Sequence, residues 1–237
     1  MTTLPEKATY FFQNTYELQS FPVFVVYLLS ILLIPVWKRL YAPFELKKVM
    51  IVYNIVCVLL SVVAAGLLFY GAIISGAVYA FTENYYVKTG LMVYTVSKNV
   101  ELLDTLFMIL RHKWRQISFL HVFHHSTILV LGNYAWIYAP FPPVAIVIGL
   151  NSVVHIFLYA YYANSAVSSS QQPTWKKRLT QFQIAQFVFD LFFSIEGYLH
   201  HGFCIYSIMY GSSMMILFGH FYYIAYIKKK PDAKKST

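Results

Sequence analysis

The sequence predicts an all-α, polytopic membrane protein with seven transmembrane helices, and three observations carry that prediction. Of 237 residues, 59% are hydrophobic and only 11% charged, against roughly 25% charged in a soluble domain. Uncharged stretches at residues 49–81 and 116–172 far exceed the ~18 apolar residues that suggest a membrane span. Lysine and arginine gather in short clusters between apolar runs, the distribution expected of cytoplasmic loops.

The spans follow in order. Residues 1–20 are polar, carry Glu6, Lys7 and Glu17, and lack the basic opening and apolar core of a cleavable signal peptide. The first apolar run, residues 21–37, therefore reads as a retained anchor stopped by Lys38 and Arg39. Residues 49–81 are too short for two spans of ~20 residues and a turn, so they read as one long or tilted span. Residues 89–110 form a third, ending at Arg111, Lys113 and Arg115. Pro140, Pro142 and Pro143 divide the next region into spans at 116–139 and 143–163, because proline cannot continue a helix there. After Lys176, Lys177 and Arg178, a turn at Glu196, Gly197, His200, His201 and Gly202 separates spans at 179–196 and 203–227. The chain reads as one membrane domain over residues 1–237.

Seven spans place fifteen of the eighteen lysines and arginines on one side, in loops one, three and five and the C-terminal tail. That side is the cytosol by the positive-inside rule, which sets the N-terminus in the lumen. Lys234 and Lys235 stand three and four positions from the end, like a dilysine endoplasmic reticulum retrieval signal, an address that works only if cytosolic. The net charge of +9 does not indicate a nucleic-acid partner, since it lies in loop clusters rather than on the basic face of a folded module. Cys57 and Cys204 make neither a disulfide framework nor a Cys-x-x-Cys pair.

Ionisable groups within spans cost about 2.5–3.5 kcal/mol each on insertion scales and usually face a protein-lined cavity. Here they form stripes. Lys98, Glu101 and Thr105 fall at i, i+3 and i+7 with Asp104 beside them, and His121, His124 and His125 at i, i+3 and i+4. Asn151, His155, Tyr159 and Tyr162 share a face of span five, and Thr180, Gln183, Gln186 and Asp190 a face of span six. Counted at ~1.5 Å per residue from the cytosolic ends, these groups and His220 lie roughly 6 to 18 Å deep. That common depth predicts a polar chamber in the cytosolic half of the bilayer. Singly, a buried histidine packs, a tyrosine anchors an interface and a glutamine joins helices; together, three histidines at the depth of a Lys, a Glu and an Asp point to chemistry.

Two chemistries suit the constellation. His-x-x-His-His first suggests a metal-dependent lipid desaturase or hydroxylase, since imidazole suits iron, but such sites need more histidine boxes than this chain has. A single metal held by His121, His124, His125 and His155 stays open. Acyl transfer is the other, with a neutral imidazole attacking a thioester and holding the acyl group. Neither cysteine is placed for that role, so the nucleophile would be histidine. A seven-span transporter or receptor would need a path to both faces or a lumenal site, which the clustering at cytosolic depth disfavours.

At these residues the chain resembles the ELO family of very-long-chain fatty acid elongases. Lys98-Asn-Val-Glu101-Leu-Leu-Asp104-Thr105 matches its K-x-x-E-x-x-D-T box and His121-Val-Phe-His124-His125 its H-x-x-H-H box. Asn151-Ser-Val-Val-His155-Ile-Phe-Leu158-Tyr159-Ala-Tyr161-Tyr162 matches N-x-x-x-H-x-x-M-Y-x-Y-Y, with Leu158 where the family usually has Met. Thr180-Gln-Phe-Gln183-Ile-Ala-Gln186-Phe187 matches T-x-x-Q-x-x-Q-F. The resemblance implies a 3-oxoacyl-CoA synthase of the endoplasmic reticulum membrane that condenses a long-chain acyl-CoA with malonyl-CoA, releasing CO2 and CoA. It implies a barrel of spans two to seven around an acyl tunnel, with span one outside. No metal or organic cofactor is expected; other elongation-cycle enzymes are expected partners, and a homo-oligomer is left open. On this resemblance His124 is the acyl-accepting nucleophile and His155 its partner, positioning the acyl group or the malonyl enolate. His121, His125 and Asp104 orient imidazoles, and Lys98 and Gln183 hold substrate, with Glu101, Asn151, Tyr159, Tyr162 and Gln186 lining the site. Gln116, five residues before His121, resembles the box of elongases that accept polyunsaturated or very long saturated chains, and points toward polyunsaturated acyl-CoA.

Overall fold

The computed structural model describes residue 11 and residues 13–168 and 174–228, and among them it is helical with no strand. Two compact units divide the chain, Met1–Gln172 and Pro173–Thr237. In the first, α1 (Ser20–Leu32) and α2 (Ile34–Leu40) meet at Leu33 with a 50° bend. Pro35 at the start of α2 causes it, since its ring removes one helical N–H and crowds the preceding turn. α3 (Lys47–Ile74) and α4 (Tyr85–Glu101) form a hairpin, and α5 (Leu103–Leu110) continues α4 after a one-residue break at Leu102. α6 (Phe119–Tyr138) and α7 (Pro142–Val167) complete the unit.

The contacts fix the helix directions. Tyr94 and Lys98 of α4 meet Asn151 and His155 of α7, so α4 and α7 run parallel. Tyr53 of α3 packs on Tyr159 and Phe69 lies against Gly149, which makes α3 antiparallel to α7. α6 runs antiparallel to α4, with Gly132 beside Tyr94 and His121 bonded to Thr105. α1 joins Asn133 through Ser20 and Thr105 through Tyr27, parallel to α4. Successive helices of the unit therefore alternate in direction.

At one end, Leu68, Ala72, Val87, Leu91, Ala135 and Ala145 form a buried apolar cluster. Glycines let α3 and α4 approach closely: a Cβ on Gly90 would come within 2.8 Å of Leu68 Cγ, and one on Gly71 within 2.8 Å of the Val87 backbone nitrogen. Small residues at such crossings supply the van der Waals contact that holds helices together in lipid.

The second unit is a hairpin of α8 (Lys176–His200) and α9 (Ile205–Tyr222), followed by a π-helical turn over Tyr223–Ile227. Phe187 packs on Phe218 at 5.0 Å between ring centroids, and Gln181 Nε2 donates to the Tyr222 hydroxyl at 3.1 Å.

Three expected boundaries are corrected. Residues 75–81 are not part of the second span; α3 stops at Ile74, where Gly76 takes φ +68° and closes the helix end. The third span is not continuous. The turn between the last two helices starts at His201, since Glu196 and Gly197 are still helical. The Phe203 ring then folds onto Gly197 while Gly202, at φ +76°, reverses the chain. Among the described residues, α3 and α7 are each long and apolar enough to cross a membrane, and the bent α1–α2 pair adds a third candidate. The regions expected as spans three, four, six and seven are helical as well, the third divided at Leu102 into helices of 17 and 8 residues. Lys234 and Lys235 lie outside the described residues.

Candidate active site

The centre of the first unit is an ionic cluster where α4 faces α7. The Lys98 ammonium donates to Glu101 Oε1 and Oε2 at 2.8 and 2.9 Å, and both residues are buried, at 2% and 0% exposure. Ser97 Oγ adds a bond to Glu101 Oε1 at 2.9 Å. His155 Nδ1 lies 3.0 Å from Lys98 Nζ and 3.2 Å from Glu101 Oε2. It can accept from the ammonium or donate to the carboxylate, and the choice decides whether Nε2 carries the ring proton. Burial of these charges is tolerated because each is paired and hydrogen-bonded. The ammonium has three protons; Glu101 offers two acceptors and His155 Nδ1 a third in the tautomer that leaves it unprotonated, which favours an orienting role over direct capture of substrate.

Beside this cluster α6 carries the three histidines. The His124 ring lies 6.1 Å from His155 and 5.5 Å from His125, and His121 lies 4.3 Å from His125. Their environments differ. His121 Nε2 is bonded to Thr105 Oγ1 at 2.7 Å, and His125 is buried at 7% exposure. His124 is only partly buried, while Nδ1 of both His124 and His125 has no hydrogen-bond partner among the described residues. Ser118 caps the helix, its Oγ accepting from the His121 backbone N–H at 3.2 Å, which fixes the first turn just ahead of the histidines.

The remaining expected residues divide between the two units. Asp104 accepts from the Tyr159 hydroxyl at 2.7 Å, so its link to the histidines runs through Tyr159, whose ring is 5.8 Å from His155. Asn151 accepts from the Tyr94 hydroxyl at 2.9 Å, and Lys98 Nζ sits 4.7 Å above the Tyr94 ring. Tyr162 is 37% exposed and meets the cluster through the Tyr159 ring. Gln183 and Gln186 belong to the second unit, where Gln186 Nε2 donates to Asp190 Oδ2 at 2.8 Å and Gln183 is half-buried. His220 is exposed on α9 of the second unit. Tyr94 and Ser97 were missed by sequence reasoning, although each stands four residues before a box residue and so on its face. Among the described residues, no group of three or more His, Cys, Asp or Glu side chains converges to hold a metal ion.

These features define a class: a helical membrane protein with a buried Lys–Glu–His cluster beside a histidine-bearing helix. Residues 12–234 match the model of the ELO, or GNS1/SUR4, family. The chain is 33% identical to human very long chain fatty acid elongase 4, covering 90% of this chain and 73% of that protein. It is 36% identical to rat very long chain fatty acid elongase 7, over 78% and 72% of the two chains. Against very long chain fatty acid elongase 5 of Tachysurus fulvidraco it is 31% identical, over 89% and 76%. The chain belongs to the ELO family, a family of membrane enzymes of fatty acid elongation, and is a multi-pass membrane protein.

Proposed function

We propose that this protein is the condensing enzyme of a fatty acid elongation cycle, joining a long-chain acyl-CoA to malonyl-CoA through an acyl-histidine on His124. The observation that carries the reading is the difference in placement among the three histidines: His121 is tied to Thr105 and His125 is buried, whereas His124 is only partly buried and its ring faces His155 at 6.1 Å. A neutral His124 attacks the thioester carbonyl, the C–S bond breaks, and the thiolate leaves as CoA with the imidazole proton. Malonyl-CoA then loses CO2, and its enolate carbon attacks the acyl carbonyl. The C–N bond breaks, and the released imidazole regains a proton as 3-oxoacyl-CoA departs. His155, held by Lys98 and Glu101, orients the acyl carbonyl or the enolate.

The rest of the reading follows the family and the charge pattern. The protein crosses the endoplasmic reticulum membrane seven times with its C-terminus in the cytosol, and spans two to seven enclose the acyl tunnel. Its substrates are polyunsaturated; Gln116, whose position suggests this, is exposed on the short 3-10 turn before α6. A panel of acyl-CoAs with labelled malonyl-CoA tests the substrate, and elongation of palmitoyl-CoA alone would reverse the preference. Intact-mass measurement after incubation with acyl-CoA alone, then peptide mapping at mild pH, tests the covalent step. The expected result is CoA release with one acyl group on His124. An adduct on His125 reassigns the nucleophile, and no adduct, with condensation requiring both substrates together, rejects covalent catalysis.

A further inference from the structure

Helix α1 is apolar and outward-facing, with Val23, Val25, Val26, Leu29 and Leu32 exposed. Two of its side chains are nevertheless buried, Ser20 and Tyr27. A phenol hydroxyl placed among apolar groups is unfavourable unless it is hydrogen-bonded. That of Tyr27 lies 3.0 Å from Thr105 Oγ1, and the same oxygen lies 2.7 Å from His121 Nε2. At the other end of α1, the Ser20 backbone N–H donates to Asn133 Oδ1 at 3.2 Å. Asn133 and His121 both belong to α6. Two polar contacts thus hold the first helix against the elements that carry the histidine box and its threonine.

Proton counting leaves more than one way to run the relay, and donor strength chooses among them. A threonine hydroxyl has one proton and can donate to only one of its two neighbours. A phenol is a better donor and a poorer acceptor than an alcohol. Tyr27 therefore donates to Thr105, and Thr105 donates to His121 Nε2, which leaves the proton of the neutral imidazole on Nδ1. Without the Tyr27 proton, the Thr105 hydroxyl is free to rotate and accept from a protonated Nε2, and the His121 tautomer is no longer fixed. His121 packs against His125 at 4.3 Å with the ring planes tilted by 51°, and His125 meets His124 at 5.5 Å, so a change of tautomer or ring plane is felt along the row.

We propose that Tyr27 is a positioning residue: through Thr105 it fixes the tautomer and ring orientation of His121, making the first helix part of the catalytic apparatus as well as an anchor. Its kinetic consequence rests on the condensing function proposed above, while the tautomer does not. The test therefore has two arms. In solid-state NMR of 15N-histidine-labelled protein in bilayers, His121 is expected as the Nδ1–H tautomer in wild type and in Thr105→Ser. A mixture of tautomers is expected in Tyr27→Phe and in Thr105→Val. In the condensation assay, Tyr27→Phe is expected to lower kcat about tenfold, the worth of one hydrogen bond, with KM for acyl-CoA unchanged. Adding Tyr27→Phe to Thr105→Val should cause no further loss of kcat. Identical His121 spectra in wild type and Tyr27→Phe would overturn the proposal, as would a changed spectrum with unchanged kcat. A wild-type protein unable to condense acyl-CoA with malonyl-CoA would reject the condensing function and leave the spectra to decide the role of Tyr27.

Discussion

Around Leu68, Val87 and Ala145, helices α3, α4, α6 and α7 meet through aliphatic side chains and glycines, whereas a few turns further along the same helices they meet through Lys98, Glu101, His155 and the three histidines of α6. The first region is held by close contact and tolerates no extra volume. The second is held by hydrogen bonds between groups that would be expensive in lipid if any partner were missing. The difference separates two jobs. The dry end sets the spacing and direction of the helices, and that spacing presents the polar residues to one another.

The largest effect expected is chemical. His124→Ala should lower condensation by roughly 10⁴-fold or more, as loss of a nucleophile does, and should lower thermal stability less than breaking the ion pair does, because the His124 Nδ1 has no hydrogen bond to lose. The assay pairs product formation with melting in detergent. Wild-type turnover in His124→Ala would dissolve the distinction between the polar end as reaction site and the dry end as scaffold.

Next is the ion pair. Glu101→Gln leaves the Lys98 ammonium buried without its counter-charge, a change that costs about 3–5 kcal/mol where a buried pair is broken from one side. Lys98→Met combined with Glu101→Leu should recover most of that stability but no activity, since His155 loses its anchor. If the double variant is as unstable as the single, the pair is not an independent unit, and the polar end contributes more to the scaffold than this comparison allows.

A smaller and opposite pattern belongs to the dry end. Gly90→Ala forces a methyl group against Leu68, an overpacking expected to cost about 1–3 kcal/mol while turnover per folded molecule stays near wild type. A thermal shift with unchanged kcat is the expected result; a fall in kcat with unchanged stability would place the reacting groups at this end.

Much of this division was legible in the sequence, for a physical reason: helical spacing alone puts Lys98, Glu101 and Thr105 on one face and His121, His124 and His125 on another. Spacing could not rank the three histidines, because their difference comes from neighbours on other helices, Thr105 above all. Tyr27 was illegible for the same reason, since one tyrosine in an apolar run resembles an interfacial anchor until its partner is known. The break at Leu102 was hidden as well. It falls within a box whose residues are all compatible with helix, and its i→i−3 bonds, from the Leu102 N–H to Asn99 O and the Thr105 N–H to Leu102 O, appear only once the chain is folded. The end of α3 was misplaced because apolar composition continues past Gly76 while the backbone does not.

The smallest expected effects concern two helix caps at opposite ends of the unit. Asn84 caps α4 at the dry end, its Oδ1 accepting from the backbone N–H groups of Tyr86 and Val87 at 2.9 and 3.3 Å. Ser118 caps α6 at the polar end through the His121 N–H at 3.2 Å. Removing either cap with alanine should cost about 1 kcal/mol, and Asn84→Ala should melt somewhat lower than Ser118→Ala because Asn84 Nδ2 also donates to Gly71 O at 3.3 Å. Their activities should part. Asn84→Ala frays a turn that carries no site residue, and its kcat should equal that of wild type. Ser118→Ala loosens the turn that leads into His121 and should lower kcat by a few fold at unchanged KM. Equal kcat in the two variants would mean that the first turn of α6 is held by Thr105 and its neighbours without the cap, and that the position of the histidines is set from the sides rather than from the end of their helix.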